Sequence, residues 1–241
     1  LMPQRPWSAI PISDCAELLE PLPEAFFRIE PHPYAAVGAP YGAAASPFRL
    51  RRGVIQRLLQ AQETLQAQGL GYRLAIFDAW RPIAVQRFMV DYTIRVECEA
   101  RGFDPEQDLP EVRSVIEEVG RFWAPPSLDP MTPPPHSTGG AVDLTLLDRS
   151  QQLVDMGSEI DAIGAVSEPN HYLAVAKTAQ NGTDRERALE WHQRRSLLAD
   201  AMGAAGFAQH PNEWWHFSYG DQLWAWRSGQ SQAVYGRSLE G

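Results

Sequence analysis

Residues 133–145 read PPPHSTGGAVDLT, and this stretch indicates how the middle of the chain folds. Three prolines precede His136, and AVDLTLL at 141–147 has the apolar, β-branched composition of a strand. His136 and Asp143 are seven positions apart, and an odd separation on a regular strand places two side chains on opposite faces. They converge only if the chain turns between them, which the glycines at 139–140 make easy. We therefore expect His136 on a loop and Asp143 in a strand, both facing one site.

A second carboxylate–histidine pair lies in EWWHF at 213–217. Glu213 precedes His216 by three, so the same parity requires Glu213 to stand at a strand end or at a bulge. Each pair alone also has an ordinary interpretation. His136 and Asp143 also fit a turn with a capping aspartate. His216, which follows two tryptophans, also fits an ordinary packed histidine.

Together these residues supply the parts of a hydrolytic metal site. Two histidines and one carboxylate leave an open position on Zn²⁺, where a water can be held and acidified. A further carboxylate can take a proton from that water, and an arginine such as Arg81 in DAWRP can stabilise an oxyanion. DAWRP equally fits a strand-end turn in which Asp78 pairs with Arg81.

Four motifs resemble those of a known family. HSTGGAVD at 136–143 resembles the H-x-x-G-x-A-x-D signature of the M15 zinc peptidases, and EWWHF is similar to their E-x-x-H element. DAWRP at 78–82 and DMGSEID at 155–161 resemble segments of one branch, the D-alanyl-D-alanine dipeptidases of the VanX type. The order and spacing agree over about residues 50–220.

The resemblance implies the fold and the roles of individual residues. The implied fold is α+β, a single compact domain with an antiparallel sheet flanked by helices, in the M15/Hedgehog-type zinc peptidase architecture. One Zn²⁺ per chain would be held by His136, Asp143 and His216. The resemblance further implies that Glu213 is the general base, that Arg81 polarises the scissile carbonyl, that Asp161 holds the substrate ammonium, and that Tyr34 lines the pocket.

One position departs from the family pattern. The pattern begins S-x-H, with a serine that helps to bind substrate, and here that position is Pro134, which has neither a hydroxyl nor an N–H. The metal site does not depend on it, but substrate preference can. Ser137, on the other side of His136, is the candidate for a replacement hydroxyl.

Periodicity and breaker residues outline one domain over 1–241, with residues 1–48 as an arm or loops packed on a catalytic core at 49–241. Thr183 and Glu186 form a capping-box pattern, T-x-x-E, at the start of the last helix. Residues 148–180 are expected to be irregular. Helices are predicted at 51–68, 83–100, 111–122 and 183–204, and strands at 72–80, 141–147 and in the C-terminal segments EWWHFSYG, QLWAWR and QAVYG.

Composition limits the possible partners. The 241 residues carry a formal net charge of −9, which argues against nucleic acid, and the densest basic stretch, RLRR at 49–52, is expected to be a solvated helix start. No apolar run approaches the roughly 18 to 20 residues that span a bilayer, so no membrane partner is expected. The absence of a signal-like start and the presence of only two cysteines favour a cytoplasmic location.

The sequence therefore predicts a zinc-dependent dipeptidase of short peptides, with D-Ala-D-Ala as the leading substrate. Three alternatives stay open: a D,D-carboxypeptidase or endopeptidase acting on peptidoglycan stem peptides, a non-catalytic zinc-binding module, and a metal-free structural protein. The oligomeric state, the stereochemical preference and the physiological role are not determined by the sequence.

Overall fold

The computed structural model describes residues 5–42 and 46–238, and its centre is a sheet of five strands. The strands are β1 (Leu19–Pro21), β2 (Phe27–Arg28), β3 (Arg49–Arg51), β4 (Arg73–Asp78), β5 (Ala141–Leu147), β6 (Ala208–Gln209) and β7 (His216–Ser218). The helices are α1 (Pro33–Ala36), α2 (Arg52–Ala67), α3 (Ile83–Ala100), α4 (Pro110–Phe122), α5 (His171–Thr178), α6 (Gly182–Ala204) and α7 (Gln222–Arg227). Two short 3₁₀ helices span Pro135–Thr138 and Ala165–Ser167.

The α+β class is confirmed, and the sheet is mostly antiparallel. The central order is β2-β4-β5-β7-β6, and β4–β5, β5–β7 and β7–β6 all pair antiparallel. The edge strand β2 pairs parallel with β4, which the sequence did not predict. A two-residue strand in a proline-rich segment shows no alternation that could have identified it. A separate two-stranded sheet joins β1 to β3.

The two faces of the sheet have different neighbours. Val142, Leu144 and Leu146 of β5 belong to a core that also contains apolar side chains of α2 and α6. Because side chains alternate along a strand, Asp143 and Thr145 point to the opposite face. A second core, built mainly from α3 and α4, lies apart from the first. The polar residues of β5 thus face away from α2 and α6.

Most predicted elements in the core agree with the structure. Strand β5 and helix α3 have the predicted bounds, and α2, α4 and β4 differ from the prediction by one or two residues at an end. Gly69 follows α2 with φ +71°, as expected for a glycine at a helix C-terminus.

The C-terminal strands were predicted wrongly in two places. QLWAWR forms α7, whose first turn is capped by Asp221, with a side chain that accepts a hydrogen bond from the N–H of Trp224 at 2.8 Å. A segment of six residues is too short for periodicity to separate a helix from a strand. QAVYG forms only an isolated bridge between Ala233 and Ile12.

Three further expectations need correction. The region 148–180 contains α5 and a 3₁₀ helix, although it was expected to be irregular. Helix α6 is capped by Asn181, whose side chain accepts from the N–H of Asp184, and the predicted cap Thr183 lies inside its first turn. In RLRR, Arg51 is a buried residue of β3 that donates to backbone carbonyls, because an extended strand turns it inward. None of the helices among the described residues has the length and apolar character needed to cross a membrane.

Candidate metal centre and its cavity

A row of three polar side chains crosses the centre of the sheet. Asp143 of β5 lies opposite His216 of β7 on one side and Asp78 of β4 on the other. The register of β4 against β5 shifts between Ile76 and Asp78, so one extra residue is inserted in β4 there. This irregularity brings Asp78 opposite Asp143, as β-bulges do when they re-aim a side chain.

His136 approaches this row from the turn before β5. It lies in the 3₁₀ helix Pro135–Thr138, and the chain then turns at Gly139, whose φ is +73°. A Cβ at Gly139 would overlap the side chain of Leu19, and one at Gly140 would lie 2.6 Å from the carbonyl oxygen of Tyr219. Both positions therefore require glycine. The predicted turn between His136 and Asp143 is present, and both side chains face one site.

The side chains of His136, Asp143 and His216 form a buried cluster that could hold a metal ion. Nε2 of His136 lies 3.1 Å from Oδ2 of Asp143, and Nδ1 of His216 lies 3.1 Å from Oδ1. The two histidine nitrogens are also 3.1 Å apart. Two ligands on a tetrahedral zinc ion, each at about 2.0–2.1 Å, are roughly 3.3 Å from one another. The spacing of the cluster is thus suited to a zinc-sized cation.

The hydrogen bonds around the cluster agree with that use. Nδ1 of His136 lies 2.7 Å from the carbonyl oxygen of Ala79, which can only accept, so Nδ1 carries the hydrogen and Nε2 presents a lone pair. That lone pair faces the Asp143 carboxylate. Oδ1 of Asp143 is buried and has no hydrogen-bond donor among the described residues. A cation between these acceptors would satisfy them, and the outer contacts orient the ligands as in known metal sites.

His216 is also oriented by a contact of the ring nitrogen that faces away from the cluster. Its Nε2 lies 3.1 Å from the hydroxyl of Ser218, which leaves Nδ1 directed at the cluster. Burial alone would raise the pKa of Asp143, but the neighbouring imidazoles of His136 and His216 hold that pKa well below its ordinary value.

Glu213 lies in the turn that precedes β7, outside the strand, as the parity of the motif requires. Its Oε2 is 3.6 Å from Nδ1 of His216 and its Oε1 is 3.6 Å from Nδ1 of His210. Burial, and then the charges of Asp143 and Asp161, raise the pKa of Glu213. His210, for which no role was predicted from the sequence, has a ring that contacts the ring of His216 edge-on, with 5.4 Å between centroids. The feature of the sequence that could have identified His210 is its position three residues before Glu213.

Arg81 is held rigidly beside the cluster. Its Nε and Nη2 donate to Oδ2 of Asp78 at 3.0 and 2.7 Å, and its Nη1 donates to Gln86 at 2.8 Å. Nη2 also lies 3.4 Å from Oδ2 of Asp143. The ordinary interpretation of DAWRP, an Asp78–Arg81 pair, is therefore confirmed, and this pair directs the guanidinium toward the cluster.

Of the three candidate substrate-binding residues, Asp161 lines the cavity, whereas Tyr34, expected to line it, and Ser137 lie outside its lining. The hydroxyl of Tyr34 donates to Oδ2 of Asp161 at 2.8 Å and accepts from Arg81 at 3.3 Å. Burial, and then the charge of Asp143, raise the pKa of Asp161 to about 7. The hydroxyl of Ser137 donates to the backbone carbonyl of Arg81 at 2.7 Å, and Ser137 is buried outside the cavity lining. Ser137 supports Arg81 and does not offer its hydroxyl to a substrate.

These groups surround a cavity of about 470 Å³, its open mouth included. Its wall combines the candidate ligands with Glu213, Arg81 and Asp161. Arg5 and Trp7, for which nothing was predicted from the sequence, also line the cavity, and no local motif marks them. The remaining lining residues are Gln86, Phe122, Trp123, Ala124, Pro135, His210 and Trp215.

The sequence comparisons with known proteins agree on one family. Residues 28–233 match the Peptidase M15 family model, described as D-ala-D-ala dipeptidase. A D-alanyl-D-alanine dipeptidase of Synechocystis is 46% identical over 245 residues, which cover 98% of this chain and 97% of the relative. A D-alanyl-D-alanine dipeptidase of Enterococcus faecium is 29% identical, over 69% of this chain and 71% of that one. A solved structure of a vancomycin-resistance D,D-pentapeptidase, VanY, in complex with Zn(II), is 14% identical with a TM-score of 0.44, over 94% of this chain and 96% of that one.

Proposed function

The chain belongs to the D-Ala-D-Ala dipeptidase family of the M15 peptidases and is a hydrolase, and from this premise we propose that it is a zinc-dependent dipeptidase that cleaves D-Ala-D-Ala. The relative with 46% identity across nearly the whole chain is named for that activity. The observation that carries the proposal is the meeting of a three-ligand cluster, a separate carboxylate and an arginine in one cavity.

The proposed metal ligands are His136, Asp143 and His216. Their ligand atoms lie within 4.8 Å of one another, and Asp143 contributes a carboxylate that already lacks a donor at Oδ1. A bound Zn²⁺ supplies Lewis acidity toward the scissile carbonyl and makes water a nucleophile at neutral pH. With three protein ligands, a bound zinc ion would keep a coordination position for water or substrate, as in catalytic zinc sites.

Glu213 is the proposed general base. Its carboxylate stands beside the cluster, 3.6 Å from Nδ1 of His216, and it lines the same cavity. It takes the proton of the attacking water at Oε and then delivers this proton to the leaving amine as the peptide bond breaks. A site that only bound zinc would not need this buried carboxylate, and its presence favours catalysis over a non-catalytic module.

Arg81 and Asp161 are proposed to act on the N-terminal half of the dipeptide. Arg81 directs its positive charge into the cavity, where it stabilises the oxyanion that develops on the attacked carbonyl. Asp161, already joined to Tyr34, accepts from the substrate ammonium. The cavity restricts cleavage to dipeptides. A peptide extended at its N-terminus would place no ammonium opposite Asp161, and this buried carboxylate would be left unpaired. The cytoplasmic location and the lack of nucleic-acid and membrane partners stay predictions.

The test is a screen of the zinc-loaded protein against D,D-, L,D- and L,L-dipeptides, with a peptidoglycan stem pentapeptide in parallel. We expect turnover of D-Ala-D-Ala and none of the pentapeptide. Cleavage of the pentapeptide without cleavage of the free dipeptide would establish the carboxypeptidase alternative. Stoichiometric zinc binding with no turnover of any substrate would establish the binding module.

A further inference from the structure

The N-terminal segment of the described chain forms one wall of the cavity. Arg5 and Trp7 both line it, although they lie outside residues 28–233 that match the family model. Trp7 is buried and its ring contacts that of His210 edge-on, with centroids 5.6 Å apart. The side-chain amide of Gln222 on α7 donates to the carbonyl of Ile10 at 2.6 Å and holds the segment in place. This wall is therefore a built part of the fold.

The guanidinium of Arg5 is anchored but not neutralised. Its Nη1 donates to the carbonyl of Arg121 at 3.2 Å and its Nη2 to the carbonyl of Trp123 at 2.8 Å. No carboxylate among residues 5–42 and 46–238 lies within salt-bridge distance of it, and its Nε is buried without a partner in that same part of the chain. Arginine has five N–H donors, and two of them are used here. The cation thus retains both charge and donors for an anion in the cavity.

The positions of the charged groups along the cavity indicate which anion Arg5 would bind. Asp161 and Arg81, which both hydrogen-bond to the hydroxyl of Tyr34, line the part of the cavity where the ammonium and the scissile carbonyl are proposed to lie. Arg5 lies on the side of Glu213: its guanidinium is 5.7 Å from the centroid of the Trp7 ring, and that ring contacts His210. Nδ1 of His210 is in turn 3.6 Å from Oε1 of Glu213. Glu213 protonates the leaving amine, which belongs to the C-terminal residue of the dipeptide. The C-terminal half of the substrate therefore lies on the side of Arg5.

We propose that Arg5 binds the α-carboxylate of the dipeptide and makes the enzyme specific for a free C-terminus. This inference rests on the proposed function. A guanidinium with free donors can make charge-assisted hydrogen bonds to a carboxylate.

The test compares Arg5→Gln with the wild type on D-Ala-D-Ala and on its C-terminal amide. Loss of a charge-assisted contact made equally in ground and transition states should raise KM for the free acid at least about tenfold with little change in kcat. The KM for the amide should stay unchanged, so the preference for acid over amide collapses. Arg5→Lys, which keeps the charge, should recover part of that preference. The matched control is Arg237→Gln, since Arg237 also donates to a backbone carbonyl, that of Leu128, but lies outside the cavity.

Equal losses on the acid and the amide, or no loss on either, would overturn the role of Arg5 while leaving the dipeptidase intact. A binding measurement separates the two proposals. Calorimetry uses a non-hydrolysable phosphinate analogue of the dipeptide that carries a free carboxylate, and Arg5→Gln should bind it at least about tenfold more weakly. Equal affinity of both proteins refutes the assignment of Arg5. A wild type that binds the analogue but hydrolyses no dipeptide refutes only the proposed function.

Discussion

Asp143 and His216 are cross-strand partners in the antiparallel pair β5–β7, and their side chains meet at 3.1 Å between Oδ1 and Nδ1. The register of the sheet sets this distance, because both residues lie on paired strands and point to the same face. His136 then joins them from a turn whose glycines cannot be replaced without overlap. The sheet register and this turn therefore set the positions of the candidate ligands, and removing a bound metal should leave buried acceptors facing one another.

Removal of zinc should destabilise the protein measurably. A ligand present at about 100 times its Kd adds about 2.7 kcal/mol to the native state, and each kcal/mol shifts Tm by roughly 2–4 °C in a chain of this size. Chelator-treated protein should therefore unfold about 5–10 °C earlier, as followed by circular dichroism. Added Zn²⁺ should restore the Tm and Mg²⁺ should not, because Mg²⁺ prefers octahedral oxygen sites. Identical melting curves with and without chelator would contradict a metal at this cluster.

Substitution of a ligand should lower the metal content. His136→Ala and His216→Ala each leave two ligands on the metal, and we expect most of the zinc to be lost on dialysis. Atomic absorption gives the zinc-to-protein ratio. His192→Ala is the control, since His192 lies on α6 outside the cavity lining. If a variant keeps the wild-type ratio of zinc to protein, the substituted histidine is not a metal ligand.

Local patterns explain which parts of this site could be predicted. The turn at Gly139 and the strand at β5 follow from glycines, prolines and β-branched residues within a few positions of each other. The alignment of Asp78 with Asp143 depends on an irregularity in β4 that only its pairing with β5 creates. Arg5 reaches the cavity through contacts with residues more than 100 positions away, which leave no local signal. Likewise, Asp221 selects a helix for a segment whose alternating tryptophans resemble a strand.

Glu213→Ala should separate metal binding from catalysis. The three candidate ligands remain, so the zinc content should stay near that of the wild type. The rate of D-Ala-D-Ala hydrolysis should fall by about 10²–10⁴-fold, the usual contribution of a general base. Glu63→Ala, at an exposed glutamate of α2, should change neither quantity. Near-normal turnover by Glu213→Ala would show that another group moves the proton.

Asp78→Asn should weaken both the fold and the orientation of Arg81. The Asp78 carboxylate accepts from Arg81, from His32 at 3.0 Å and from Tyr41 at 3.2 Å, and it is fully buried. Breaking a buried ion pair from one side costs about 3–5 kcal/mol, because the partner charge stays buried. Urea unfolding should show this loss, together with a fall in kcat/KM. Tyr41→Phe removes one hydrogen bond from the same carboxylate and should cost only about 1 kcal/mol. Equal losses in the two variants would mean that the charge of Asp78 is unimportant.

Two nearby substitutions at the start of α6 should have different effects on the free energy of unfolding. Oδ1 of Asn181 accepts from the N–H of Asp184 at 2.8 Å, so Asn181→Ala removes the cap and should cost about 1 kcal/mol. Thr183 lies within the first turn, and Thr183→Ala replaces a β-branched residue with the best helix former. That substitution should be neutral or slightly stabilising. Urea unfolding of both variants measures the difference. If Thr183→Ala is the more costly change, the T-x-x-E capping box predicted from the sequence forms in solution and the cap at Asn181 does not.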